Sequence, residues 1–246
     1  MIRLLCLLAI IFSFNTFALA EGLKPTTYVY GVAKSAYVLG SGSVGSPNSV
    51  AQGGVTFSWK SGFYLDLWGS APFKSNNDNH FGKETDVTAG WKGEMGGLKM
   101  DAGIAHYNLY PVSKLDSFDL TDIFGEISPR KAWVVGKEST VTPFFRAEIL
   151  NSSGRGVKNE VVGYAGLYNN IPLGNSWSLD QKFQVGHQPK LPGLSPGWNG
   201  YYKLSLSRAL SNKLTVGVIA ERYQPFGLDG DRVGKNVYGI TFGFPI

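Results

Sequence analysis

Cysteine is almost absent from this chain. The single cysteine among 246 residues is Cys6. It lies inside an N-terminal apolar run, so the rest of the chain can build neither a disulfide framework nor a cysteine-ligated metal site. Long apolar runs are absent too. After residue 20 no uninterrupted stretch reaches the length that a membrane-spanning helix needs. A basic block is also missing. Lysine and arginine outnumber aspartate and glutamate by 23 to 18, but they are scattered, which argues against a nucleic-acid partner. What the chain does have is glycine, at 32 residues, and aromatic side chains, at 13%. If such a chain enters a membrane, it does so as a closed β-barrel, because only helices and closed barrels satisfy every backbone group in lipid.

The first twenty residues read separately. Met1-Ile2-Arg3 supplies a positive charge, Leu4 to Phe14 is apolar, and Ala18-Leu19-Ala20 precedes Glu21. This is the pattern of a cleaved secretory signal peptide over residues 1–20. It leaves residues 21–246 as one outer-membrane barrel carrying 22 basic against 18 acidic residues.

The clearest strand signal runs from Gly53 to Ser70. Val55, Phe57 and Trp59 share one parity, and Phe63, Leu65 and Leu67 resume it beyond Lys60-Ser61-Gly62. Thr56, Ser58, Tyr64 and Asp66 take the other parity. Alternation on both sides of a glycine-containing turn predicts a β-hairpin. The same alternation recurs to the C-terminus, with connections that alternate long and short, as in outer-membrane barrels. The expected fold is therefore all-β: a transmembrane antiparallel up-and-down barrel of about twelve strands. Gly125 to Ser139 leaves ten to fourteen open, and Ala132 to Glu138 within it is hard to place. The first strand is expected over Thr26 to Leu39, with ambiguous facing because Tyr37 and Leu39 switch parity. Val55, Phe57, Leu65, Leu67, Val87, Val216 and Ile240 are expected to face lipid. Trp59, Phe63, Trp91, Trp177, Phe242 and Phe244 are expected to form a girdle at the periplasmic side, since aromatic residues collect at membrane interfaces.

The opposite parity carries the charges. Leaving out the first strand, the candidate lumen residues are Asp66, Glu84, Asp86, Asp101, Asp122, Glu126, Glu148, Glu160, Asp180 and Glu221, against Lys92, Lys99, Arg146, Lys182, Lys203, Lys213 and Lys235. Ten carboxylates against seven bases suit a narrow, weakly cation-preferring channel for small solutes, because charged rings set the sign of the admitted ion. The same charges would also suit a closed barrel crosslinked by ion pairs. A third reading is a ligand receptor using Tyr110, Trp198 and Tyr223 as loop aromatics. Outer-membrane lipid and the barrel-insertion machinery are the other expected partners. The oligomeric state stays open.

Several words resemble bacterial porins of the TorF type, a largely uncharacterised outer-membrane group. They are Ser35-Ala36-Tyr37, Gln52-Gly53-Gly54, Ser61-Gly62-Phe63-Tyr64, Trp68-Gly69-Ser70 and Ile171-Pro172-Leu173-Gly174 before Trp177. The resemblance is densest from Val50 to Tyr107. It departs at Val38-Leu39-Gly40, where the family has an arginine. It implies a barrel fold and an outer-membrane location, and it transfers no catalytic residue.

Enzyme chemistry has little footing. The lipase barrels carry His-x-Ser-Asn-Gly, whereas His106 is followed by Tyr-Asn-Leu-Tyr and His187 by Gln-Pro-Lys-Leu. A serine–histidine pair needs a serine within reach and a group to orient the ring. His80, Asp78 and Glu84 include metal-ligating types, but a polar loop of this kind is ordinarily just solvated. No catalytic residue, metal or cofactor is expected.

Overall fold

The computed structural model describes residues 24–39, 44–74, 83–110, 120–136, 138–152, 159–188, 196–211, 213–226 and 234–246. The signal segment, the Asn76–Asn79 run, Asp78, His80 and Lys114 lie outside the described residues.

Twelve strands form the wall: β1 Thr26–Lys34, β2 Val50–Ser58, β3 Phe63–Pro72, β4 Lys83–Met95, β5 Leu98–Tyr110, β6 Leu120–Pro129, β7 Ser139–Ser152, β8 Glu160–Gly174, β9 Trp177–Gln188, β10 Gly197–Ser211, β11 Leu214–Phe226 and β12 Lys235–Pro245. Each pairs antiparallel with the next. β12 then pairs with β1, Val29 opposite Phe244 and Lys34 opposite Gly239. The sheet is therefore closed and has no free edge.

The turns at one end are short because their residues accept unusual backbone angles. Gly96 and Gly97 have φ of 60° and 84°, and Asn175 and Ser176 have φ of 49° and 64°. Two successive positive-φ residues match the right-handed twist of the flanking strands in a tight hairpin. At the turn between β2 and β3, Trp59 N donates to Phe63 O at 2.9 Å and Gly62 N to Trp59 O at 3.0 Å. The other connections at this end are short, except the nine-residue link from Arg130 to Glu138 between β6 and β7, whose Arg130 N bonds Gly97 O at 2.9 Å.

Three local expectations are corrected. The first strand stops at Lys34, not Leu39. Ser35 N bonds Tyr238 O at 2.8 Å, and the chain then turns into the barrel, which is why Tyr37 leaves the parity of Tyr28, Tyr30 and Val32. The polar pattern predicts a loop over Asn108 to Ser117, but Asn108 to Tyr110 belong to β5. The difficult stretch Ala132 to Glu138 contains a short strand, Trp133–Val135, that pairs with Ser139–Val141 at the start of β7. All three of its residues are exposed, so it shows no inward–outward alternation.

Register fixes the faces. Val55 is opposite Leu67 and Phe57 opposite Leu65. Leu67 is opposite Val87, Val216 is opposite Phe242, and Val218 is opposite Ile240. These residues share the outward face. The other face makes contacts that skip a strand, such as Tyr30 of β1 to Asp66 of β3 at 3.0 Å and Tyr64 of β3 to Asp101 of β5 at 2.8 Å. Only the concave side of a barrel brings alternate strands that close.

Candidate functional site: the barrel interior

The interior is built from aromatic rings lying over glycines. Tyr30 is opposite Gly54 and Tyr64 opposite Gly90. A Cβ on Gly54 would meet the Tyr30 hydroxyl at 2.6 Å, and one on Gly90 the Tyr64 hydroxyl at 2.6 Å. Phe124 over Gly103, Phe144 over Gly166 and Tyr164 over Gly186 repeat the arrangement. Each ring lies flat along the wall because its cross-strand neighbour has no side chain, as when an aromatic covers a strand glycine. The lumen keeps that space, and the tyrosine hydroxyls reach carboxylates farther round.

Those hydroxyls organise the acids. Asp66 accepts from Tyr30 and Thr56, and Asp101 accepts from Tyr64. Tyr107 donates to Asp122 at 3.2 Å, Tyr164 to Glu148 at 2.7 Å, and Tyr168 to Glu126 at 3.3 Å. Arg146 lies among them. Its Nε is 2.6 Å from Glu148, its guanidinium reaches Glu126 at 4.0 Å, and it packs 4.2 Å from the Phe124 ring centroid. Lys92 pairs with Asp101 at 3.4 Å, and Lys34 pairs with Glu221 at 3.0 Å.

The charges are unevenly distributed round the wall. Asp66, Glu84, Asp86, Asp101, Asp122 and Glu126 occupy β3 to β6. Lys182 and Lys203 occupy β9 and β10, about half a circuit away in a twelve-stranded sheet. Lys92 and Lys99 line the short-turn end of the acidic side. With Glu94, Asp101, Glu126 and Ser128 they border a recess of about 400 Å³.

The first long connection folds into the opposite end. Ala36 and Val38 are buried against Val237 of β12 and Tyr201 of β10. Tyr37 donates to Glu84 Oε2 at 2.7 Å, and its ring lies 5.8 Å from that of Trp68. One short segment thus touches inward residues of β3, β4, β10 and β12 and narrows the lumen there. Lys235 donates to Pro47 O at 3.1 Å, from the rim onto the same connection. Asp86 Oδ1 and Asp122 Oδ1 are buried without a hydrogen-bond partner among the described residues.

Glu160 and Asp180 also sit on the inward parity. Glu160 is opposite Leu150 at the rim. Asp180 accepts from Asn170 at 2.6 Å and Ser178 at 3.3 Å near the short-turn end. Lys213 does not line the lumen. It occupies the turn before β11, with its backbone N bonded to Ser211 Oγ at 3.1 Å. Lys34 takes its place, so ten acids face seven bases along the wall, apart from the exposed Glu94–Arg130 pair at the short-turn rim. The sequence reading missed Lys34 together with Tyr30, because the parity switch at Tyr37 hid the facing of β1.

Of the girdle aromatics, Phe63 and Trp91 face each other in register, and Trp91 Nε1 donates to Ser61 O at 3.0 Å. Trp59 borders the same turn. Trp177 lies 5.5 Å from the Arg208 guanidinium, and Phe242 and Phe244 are on the outward parity of β12. All six sit at the short-turn end. The loop aromatics behave differently from the sequence reading. Tyr223 is a strand residue, buried inward and bonded to Asn199 at 2.9 Å. Trp198 is a strand residue on the outward face, against His187. His106 also points outward, 3.2 Å from Thr121 Oγ1. No group of three metal-ligating side chains occurs among the described residues.

The profile of a bacterial protein family of unknown function, Gcw_chp, matches residues 19–220. No curated protein matches the chain in sequence. Among solved structures, the NanC porin superposes with a TM-score of 0.57 at 10% identity, covering 89% of this chain and 100% of that one. The KdgM porin gives 0.56 at 6%, covering 88% and 98%. The COG4313 outer membrane channel from Pseudomonas putida F1 gives 0.51 at 10%, covering 91% and 96%. At these identities the likeness is one of fold: a porin-like outer-membrane barrel.

Proposed function

We propose a channel function for this chain, which belongs to the Gcw_chp family of bacterial proteins of unknown function. It is a narrow pore of the Gram-negative outer membrane, inserted by the barrel-insertion machinery, that passes small solutes with a weak preference for cations. It is not an enzyme. The observation that carries this reading is the charged, tyrosine-braced interior, whose ten acids, six of them on β3 to β6, exceed its bases by three. A barrel sealed by design would fill that volume more economically with apolar side chains, since buried charges cost desolvation. The fold likeness to porins and the resemblance to TorF-type porins support the same reading, with the short turns on the periplasmic side.

A second reading has one observation in its favour. The inward-folded segment Ala36–Val38, latched to Glu84, narrows the external half, so a closed resting barrel is the competitor. Planar-bilayer recording of the purified protein separates the two. The channel reading expects stable unitary steps. No steps across many insertions of correctly folded protein would leave the closed barrel.

A further inference from the structure

Lys182 of β9 and Lys203 of β10 are directly opposed in the sheet ladder, and both project into the lumen. Like charges at directly opposite positions destabilise a sheet, and a half-buried ammonium without a counter-charge is costlier still. Nearby carboxylates relieve this only in part: Glu126 acts on Lys182, and Glu221 and Asp180 act on Lys203, without pairing with them. Glu221, the register partner of Lys203, is taken by Lys34 at 3.0 Å. Glu126 is held by Tyr168 and Arg146. Asp180 is held by Asn170 and Ser178. Neither lysine forms an ion pair among the described residues. Lys182 Nζ instead hangs 5.1 Å from the Phe144 ring centroid and 5.5 Å from that of Tyr168. The two rings are themselves stacked at 4.4 Å. A ring face holds a cation in place without neutralising it.

The geometry points to a binding station for small organic carboxylates. The two carboxylate oxygens bridge the paired ammonium groups, and the body of the solute lies toward the half-buried Tyr168 ring, which the buried Phe144 backs. A bare inorganic anion would satisfy the lysines but leave the Tyr168 ring unused. The inference deepens the channel reading and rests on it for access, because a solute reaches the station only through the lumen. It is compatible with a weak cation preference, which reflects the net charge of the whole pore, whereas the station is a local reversal of sign on one wall.

Binding can be measured without any current, by calorimetric titration of the full barrel in detergent with sodium gluconate. Sorbitol serves as the uncharged control and sodium chloride as the ionic control. Saturable gluconate binding is expected, with none for sorbitol and a progressive loss as chloride rises. The double variant K182M/K203M should bind at least about tenfold more weakly, while K182R/K203R retains binding. Heat-dependent gel mobility checks that each variant is a folded barrel. If the double variant does not fold, K203Q alone relieves the repulsion and must still weaken binding. The station is overturned by equal binding of sorbitol, by undiminished binding in folded K182M/K203M or K203Q, or by no saturable binding to the wild-type barrel. Gluconate binding by a barrel that gives no unitary steps would keep the station and remove the channel. Steps without binding would do the reverse.

Discussion

The ion pair between Lys34 and Glu221 is the most deeply buried in the lumen, with side-chain exposures of 11% and 1%. Removing one partner of such a pair strands the other charge. Lys34→Met should therefore cost roughly 3–5 kcal/mol in unfolding from lipid vesicles, and adding Glu221→Gln should recover much of that loss. A double variant as unstable as the single one would show that the pair is not coupled. A second residue-scale outcome concerns the rings over glycine. Gly90→Val has no room under Tyr64, so it should pull the Tyr64 hydroxyl from Asp101 and cost about 1–3 kcal/mol through overpacking. The inward acids could be read from the sequence by parity alone. Their tyrosine donors could not, because a tyrosine on a strand fits lipid, lumen or core equally well until the glycine opposite it is known. That pairing depends on register across two strands, which the local pattern does not carry.

At the scale of the element, register decides everything, since a one-residue slip exchanges the two faces of a strand. Arginine at Val55, Leu67 or Ile240 should destabilise the barrel by roughly 2–4 kcal/mol, while arginine at the inward Thr88 should cost far less. Vesicle refolding with urea titration would test this, and equal tolerance on both faces would reject the register. The strands were legible where alternation was long and unbroken, as in β2 to β5 and β8 to β12. They were illegible where the chain stopped obeying the barrel's two faces. Beyond Lys34 the chain dives inward, so Ala36, Tyr37 and Val38 are all buried regardless of parity. In Trp133–Val135 the side chains are all exposed, so period two never appears. The latch formed by Tyr37 on Glu84 is the element-scale consequence of the first exception. Tyr37→Phe leaves a buried carboxylate without its donor, and should cost about 1–3 kcal/mol. It should also speed amide exchange at residues 36–38, measured against unchanged exchange in β4.

For the whole molecule, the balance of charge sets the sign of any current. Ten lumenal carboxylates against seven bases is a small excess, and four of the acids are already matched: Asp101 by Lys92, Glu126 and Glu148 by Arg146, and Glu221 by Lys34. The remaining six face Lys99, Lys182, Lys203 and Lys235. The expected selectivity is therefore weakly cationic, and it should come mainly from the acidic side. In a salt gradient the reversal potential should shift toward the cation. Asp66→Asn together with Asp101→Asn should reduce that shift, the second change also releasing Lys92 from its partner. Neutralising Lys182 and Lys203 should enlarge it, because the bases on β9 and β10 oppose it. Ionic strength gives an independent check. Exposed charges are screened over about 10 Å at 0.1 M salt and about 3 Å at 1 M. A preference arising from solvent-facing lumen charges should thus fade between those conditions, while one arising from the narrowing at Ala36–Val38 should persist. A reversal potential that shifts toward the anion at low salt, or that is indifferent to both pairs of substitutions, would show that the lumenal acids do not govern permeation.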